Sequence, residues 1–409
     1  MNPQSTNNRN IIFLVIVAAL GYFVDIYDLV LFSVVRVKSL TEIGVSATDL
    51  KADGIFIINV QMFGLLLGGL LWGILGDKLG RIKVLFGSIL LYSLANIANG
   101  FATTVNSYAL IRFIAGVGLA GELGAGITLV TETMDKEKRG YGTMIVAGIG
   151  LLGAAAAATI SENFTWQTSY FVGGGMGLLL LLLRVGTFES GLFKHAANQK
   201  QVVKGNFFML FSNKERLLKY LYCILIGIPL WFVVGILVTL CREFGQELHA
   251  TETLDAGKGI MFTYFGIAIG DVVTGFLAQI LKSRRKTVFI FHCLSVVSVI
   301  VYLTSYGLSG ASFIWICLFM GFSVGYWATF VTIAAEQFGT NIRATVTTTV
   351  PNFVRGSLIP INLLFGYLAT KYSNVTAGFI VMGVLTLIAI FALSQLKESF
   401  NKDLDYLEE

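Results

Sequence analysis

Twelve stretches of this chain stay apolar for about 20 residues or more, the length a helix needs to cross a hydrocarbon core of roughly 30 Å. A backbone in lipid must satisfy its own hydrogen bonds, so runs this long and continuous are read as membrane helices. They fall at 11–36, 52–76, 82–101, 105–134, 141–162 and 166–187, then at 217–242, 256–282, 286–307, 310–337, 343–371 and 374–395. The expectation is an all-α membrane protein with twelve transmembrane helices in two six-helix pseudo-symmetric bundles. Only 13% of the residues are charged and 55% are hydrophobic, against roughly 25% charge in soluble domains. The polar start, Met1 to Asn10, leads into a long apolar run interrupted by Asp25 and Asp28. It lacks the short apolar core and cleavage site of a signal peptide, so none is expected.

The longest hydrophilic segment carries Lys194, His195, Lys200, Lys204, Lys214 and Arg216, and it divides six spans from six. The expected organisation is therefore an N-terminal bundle (1–187), a linker on the cytoplasmic side (188–216) and a C-terminal bundle (217–409). Basic residues report orientation, because loops retained in the cytoplasm are rich in Lys and Arg. With the N-terminus inside, only Arg36, Lys38, Lys51, Arg242, Lys258 and Lys371 of the 29 Lys and Arg lie in external segments. Arg112, Arg184 and Arg355 lie within or at the edge of spans, and the rest are cytoplasmic. Both termini are expected inside, in a bacterial inner membrane.

The two halves also echo one another. Glu132 and Arg139 after span four recur as Glu336 and Arg343 after span ten; Phe188-Glu189-Ser190 recurs as Lys397-Glu398-Ser399, and the loop Gly73 to Lys83 maps onto Gly275 to Arg285. Parallel repeats of six helices are one plan on which transporters are built.

The loop after span two reads Gly73-Ile-Leu-Gly76-Asp77-Lys78-Leu-Gly80-Arg81-Ile-Lys83. It resembles the signature between helices two and three of the major facilitator superfamily, and the resemblance extends over the whole chain. It implies that Gly73, Asp77, Gly80 and Arg81 help latch the cytoplasmic side in the outward-facing state. It also implies that Glu132, Arg139, Glu336 and Arg343 form cytoplasmic gating salt bridges. In the second half Gln279 replaces the aspartate, which weakens that latch. Three further features resemble the metabolite:proton symporters and their organic-ion and phosphate relatives: Asp25-Ile26-Tyr27-Asp28, the Arg112 to Glu122 stretch of span four, and Arg184 followed by Glu189-Ser190-Gly191. No aspartate lies near Trp231 in span seven, which disfavours phosphate.

Ionisable residues inside spans are costly and are functional candidates by default. Asp25, Asp28, Glu122 and Asp271 stand against Arg112 and Arg355 mid-span, leaving two acids in excess. A buried carboxylate without a partner takes up a proton or a metal cation, so these four acids are the proton or cation coupling candidates. Asp25 and Asp28, three apart, share a helical face with Tyr22; the alternative for both is pairing across the bundle. Arg112 and Glu122 are too far apart along one helix to pair directly, so each needs a partner elsewhere. Arg355, between Pro351 and Pro360, is a candidate for the substrate's anionic group, because a guanidinium fork suits a carboxylate. An interdomain salt bridge to Asp25 or Asp28 is the alternative. For Asp271, cation binding and helix-to-helix hydrogen bonding are left even. Tyr22, Arg112, Asn59, Gln61, Trp231, Tyr326, Trp327 and Asn352 complete the substrate-binding candidates. His292 is read as a boundary residue.

The four cysteines lie in or beside apolar runs without ligand spacing and are read as packing residues. No Walker loop, His and Glu metal box or nucleotide-sized domain is present in the sequence, so neither ATP drive, cofactor, resident metal nor enzymatic activity is expected. The basic residues are spread through loops, which disfavours nucleic acid as a partner; the expected partners are the bilayer and a small-molecule substrate, and the expected functional form is a monomer. Together these point to a cation-coupled, most simply proton-coupled, symporter of a small organic anion working by alternating access. Sodium coupling, proton-coupled export and a non-transporting sensor on the same scaffold are the alternatives.

Overall fold

The computed structural model describes residues 8–79, 81–122, 139–189 and 207–400, and these residues are helical apart from short turns and loops. The first half comprises α1 (Asn8–Glu42), α2 (Leu50–Leu79), α3 (Arg81–Asn99), α4 (Val105–Leu119), α5 (Arg139–Asn163) and α6 (Trp166–Glu189). Spans seven and eight follow as α7 (Lys214–Leu225), α8 (Ile228–Phe232), a π-helical turn (Val233–Val238), α9 (Cys241–Glu247) and α10 (Ala256–Leu281). The remaining spans are α11 (Arg284–Thr304), α12 (Gly310–Ser323) with α13 (Trp327–Glu336), α14 (Thr340–Gly356) with α15 (Leu358–Lys371), and α16 (Asn374–Gln395). Ten helical stretches among the described residues are long and apolar enough to cross a membrane. Two shorter apolar helices, Val84–Asn99 and Val105–Leu119, complete the twelve.

Inside the first half, α1 packs on α5 and α6, α2 on α4, and α3 on α4 and α6; inside the second, α10 packs on α12, α11 on α12 and α16, and α15 on α16. The halves meet where α5 lies against α10 and where α2 lies against α14 and α15. Small residues set these distances, because helices in lipid associate by close packing. A Cβ on Gly64 would overlap the Phe113 carbonyl, and one on Gly116 the Gln61 carbonyl, so α2 and α4 touch backbone to backbone. Gly321 does the same for α12 against Thr263 of α10.

Four spans expected to be continuous are broken: span four, where α4 ends at Leu119 and Ala120 and Gly121 form a turn, and three spans in the second half. Span seven breaks at Gly227, where Pro229 lacks the amide an uninterrupted helix would use, and again at Leu240. Span ten breaks over Val324 to Tyr326, with Tyr326 at φ −125° and ψ 19°. Span eleven breaks at Ser357; Pro351 sits inside α14 without ending it, and Pro360 falls in the first turn of α15, where a missing amide is tolerated. Among the described residues, the loops after odd-numbered spans gather at one end of the bundle, the odd-loop face, and the turns after spans eight, ten and twelve at the other, the even-loop face.

Candidate transport site

Arg355 comes from α14 two residues before the Ser357 break, which brings its side chain to the boundary between the halves. Its guanidinium is buried, and its Nη2 lies 3.5 Å from Asp25 Oδ2 of α1. Neither Asp25 oxygen has a hydrogen-bond partner among the described residues, and nor do Arg355 Nε and Nη1. Two indoles flank the guanidinium, Trp231 of α8 with its ring 6.0 Å away and Trp327 of α13 at 5.9 Å. Both tryptophans adjoin helix breaks, so the breaks are what bring aromatic walls to the charge. Tyr22, one turn before Asp25, is buried beside them. The arrangement can accept a planar anion: a fork with unused donors, aromatic faces on two sides and an acid poised to exchange.

The other buried charges are locked inside the first half. Arg112 Nη1 is 2.8 Å from Asp28 Oδ1, both fully buried, and Arg112 Nη2 donates to Asn96 Oδ1 at 2.5 Å. The same guanidinium sits 4.8 Å over the Tyr170 ring, whose hydroxyl accepts from Tyr108. Glu122 pairs with Arg184 of α6 through contacts of 2.5 and 3.1 Å. Asp25 and Asp28 therefore do not share one environment. Three residues leave an angular offset of about 60° on a helix, enough to send Asp25 to the boundary between halves and Asp28 into its own bundle. Arg112 and Glu122 each find a partner on another helix, as their separation requires. The count of two excess acids is corrected, because Arg184, read as at or near a span's edge, is a buried partner at 4% exposure. Four mid-span acids face three arginines.

Asp271 of α10 accepts the Ala328 amide at 2.9 Å through Oδ1. Asn59 Oδ1 accepts from Asn362 Nδ2 at 2.6 Å, joining α2 to α15. Asn352 Nδ2 donates to Ala120 and Thr348 carbonyls, again across the boundary, whereas Gln61 Nε2 donates to Leu29 within the first half. Tyr326 is buried with its ring edge-on to His292, their centroids 5.0 Å apart. His292 is thus buried inside the second half, at 1% exposure. Cys223, Cys241 and Cys317 are buried packing residues, and Cys293 lies exposed on the outer surface of α11.

At the odd-loop face, sequence reasoning missed a second set of bridges between the halves. Arg36 of α1, 1% exposed, pairs with Glu243 of α9 at 2.8 Å. It also donates to the carbonyls of Leu50 and Thr239. Lys51 donates to Asn374, and Lys258 pairs with Glu162 at 3.4 Å. A cavity of about 300 Å³ lies beside Arg36, lined from both halves by residues including Ser33, Thr159, Glu162, Arg242 and Lys258. Arg36 ends an apolar run, and nothing in the sequence signals its turn inward.

At the even-loop face, Arg284 grips Glu336 through Nε and Nη2 at 2.6 and 2.7 Å. Arg284 is thus the arginine that holds Glu336, and Arg343 Nε donates to the carbonyls of Ala335 and Phe338. Glu398 receives the Ser283 hydroxyl and the amides of Arg284, Ser399 and Phe400. Partial burial alone would raise its pKa, but the hydrogen bonds from Ser283 and the three amides outweigh it and hold the carboxyl below its ordinary range. Gly73 faces Thr349 across the boundary at a distance that leaves room for a Cβ. Gly80 and Glu132 lie outside the described residues, as do the side chains of Asp77, Arg81 and Arg139.

The sequence profile of the Major Facilitator Superfamily matches residues 13–361. The chain is 25% identical over 390 residues to the putative niacin/nicotinamide transporter NiaP of Bacillus subtilis, covering 91% of this chain and 92% of that protein. It is also 25% identical over 395 residues to the sialic acid transporter NanX of Escherichia coli, covering 93% and 90% respectively. Its fold is similar to the crystal structure of a D-xylose-proton symporter with a TM-score of 0.70 at 16% identity, over 96% of this chain and 100% of that one. A multi-pass helical membrane protein and not an enzyme, the chain belongs to the Major Facilitator Superfamily of transporters.

Proposed function

We propose that this transporter is a proton symporter for a small organic acid, with a planar or aromatic carboxylate as the favoured class. The observation that carries the reading is Arg355, with two buried donors free of partners among the described residues, two indole faces and Asp25 beside it. Two relatives carry names that fit: niacin is a pyridine carboxylate and sialic acid a sugar acid. A substrate carboxylate taking the guanidinium leaves Asp25 buried without its counter-charge, and a carboxyl in that dry setting holds a proton. One proton then accompanies each carboxylate. Asp25 is the coupling acid in this scheme, and Asp28 and Glu122 hold Arg112 and Arg184 in place. The basic loops support an orientation with the even-loop face and both termini on the cytoplasmic side of a bacterial inner membrane. Transport by one chain as a functional monomer fits the site, which both halves of a single chain complete.

The test is uptake of labelled nicotinate and benzoate into proteoliposomes under an imposed acid-outside gradient, with sodium omitted. Accumulation of the acids but not of nicotinamide or benzamide is expected, with the response to acid lost in Arg355→Lys, which keeps the charge but not the fork. A requirement for sodium, or equal transport of the amides, would reject the reading.

A further inference from the structure

Span ten is broken inside the membrane, and a break there exposes backbone groups that water cannot satisfy. The first amides of α13 have no intrahelical acceptor. Its N-cap residue is Tyr326, whose side chain makes no capping bond. The missing partners come from the neighbouring α10. Asp271 Oδ1 accepts the Ala328 amide at 2.9 Å, in the first turn of α13. One turn further on, Thr274 Oγ1 donates to the Gly325 carbonyl at 3.1 Å. Two glycines bring the helices near enough: a Cβ on Gly270 would overlap the Phe322 carbonyl, and one on Gly325 would lie 2.6 Å from Gly270 Cα. The Gly270-Asp271-x-x-Thr274 turn therefore satisfies a donor and an acceptor on opposite sides of one break.

That break sets a wall of the substrate site, since Trp327 is the first residue of α13 and its ring flanks Arg355. We infer that Asp271 and Thr274 form a cap supplied by one span to another, and that Asp271 is a positioning residue. It fixes Trp327 by accepting the backbone hydrogen bond of the adjacent Ala328 and carries no coupling proton. The inference rests on the proposed transport site for its kinetic consequence, but its structural half stands without any substrate. It also separates Asp271 from Asp25, which sits opposite an exchangeable arginine rather than a backbone amide.

The distinguishing variants are Asp271→Asn, which keeps an acceptor oxygen without a charge, and Asp271→Ala, which removes the acceptor. Hydrogen exchange on the purified full-length protein reads the cap directly. Amides in a peptide spanning 324–332 should exchange on the order of tenfold faster in Asp271→Ala, as expected for loss of a charged hydrogen bond, and near the wild-type rate in Asp271→Asn. Thr274→Val gives an independent variant if Asp271→Ala does not fold, and it should raise exchange over the same peptide. In the nicotinate uptake assay, Asp271→Ala should raise KM about tenfold. Asp271→Asn should keep KM within about threefold and retain gradient-driven accumulation with the wild-type pH profile. Unchanged exchange in both Asp271→Ala and Thr274→Val would overturn the cap. Loss of accumulation with preserved exchange in Asp271→Asn would make Asp271 a coupling acid instead. If the wild type carries no organic acid, the function proposed above fails while the exchange result still decides the cap.

Discussion

Replacing Asp25 by Asn tests the coupling scheme at its centre. The Arg355 to Asp25 separation of 3.5 Å corresponds to an attraction of about 5 kcal/mol at an effective dielectric of 20. A substrate carboxylate hydrogen-bonded to the same guanidinium at about 2.8 Å would gain about 6 kcal/mol by the same measure. The exchange is thus nearly balanced, favouring substrate by about 1 kcal/mol, or roughly fivefold. Coupling arises because the displaced Asp25 must then be protonated, so anion and proton move together without net charge. A pH difference of one unit should drive roughly tenfold accumulation in the wild type, insensitive to membrane potential. Asp25→Asn has no acid to protonate. It should bind substrate and support exchange of labelled for unlabelled nicotinate, yet carry the bare anion. The pH gradient should then have no effect, and an inside-negative potential of about 100 mV should oppose entry by about 2.3 kcal/mol, roughly fiftyfold. Proteoliposomes with potassium and valinomycin set pH and potential independently. Near-tenfold accumulation by Asp25→Asn at zero potential would refute the reasoning.

Arg36→Gln removes the buried bridge to Glu243 at the odd-loop face and should open that side more often. A cysteine placed at Thr159, in a Cys293→Ser background, should react several times faster with an impermeant thiol reagent; an unchanged rate would mean that Arg36 does not hold the face shut. Glu398→Gln should lower the melting temperature at neutral pH by weakening the grip of the C-terminal segment on Ser283 and Arg284. Since hydrogen bonding holds the Glu398 carboxyl below its ordinary range, its contribution is present above that range and lost as pH falls through the lowered value. The melting gap between wild type and Glu398→Gln should accordingly close in acid, and a gap that widens there would reverse the sign.

Much of this architecture can be read from the chain without coordinates. Apolar length marks the helices, and the recurrence of Glu132 with Arg139 as Glu336 with Arg343 marks the halves. Asp25, Asp28, Arg112, Glu122 and Arg355 stand out because a charge in an apolar run is costly, and all five are buried and paired. What cannot be read is which acid meets which base, since that depends on helix rotation and on partners far along the chain. Arg184 ends a run of leucines, a position that suits an edge as well as a pair. The break in span ten is equally hidden, because Val324-Gly325-Tyr326 is as apolar as the helix it interrupts and contains no proline. His292 follows a basic helix start, and only the tertiary fold buries it.

The distribution of charge between the halves suggests how they divide the work. In the first half, Asp28 with Arg112 ties α1 to α4, and Glu122 with Arg184 ties the segment after the α4 turn to α6, both pairs buried. Removing one member of such a pair strands the other charge, so these contacts resist rearrangement. The position ten residues before Glu336, which matches Glu122 before Glu132, holds the neutral Tyr326; both halves turn there, after Leu119 and after Ser323, but only in the first does a buried ion pair, Glu122 with Arg184, follow the turn. Breaks in spans seven, ten and eleven surround Arg355, among the described residues the one buried arginine whose pair crosses the boundary away from the loop faces. A half cross-linked by two buried ion pairs, which holds Asp25, thus faces a half that holds the guanidinium and both indoles beside its helix breaks. Local bending at the joints can move Arg355, Trp231 and Trp327 relative to Asp25 while leaving the first bundle's ion pairs intact. The proposed coupling scheme then needs only one exchangeable contact, because every other mid-span acid has a partner elsewhere: arginine for Asp28 and Glu122, and the Ala328 amide for Asp271.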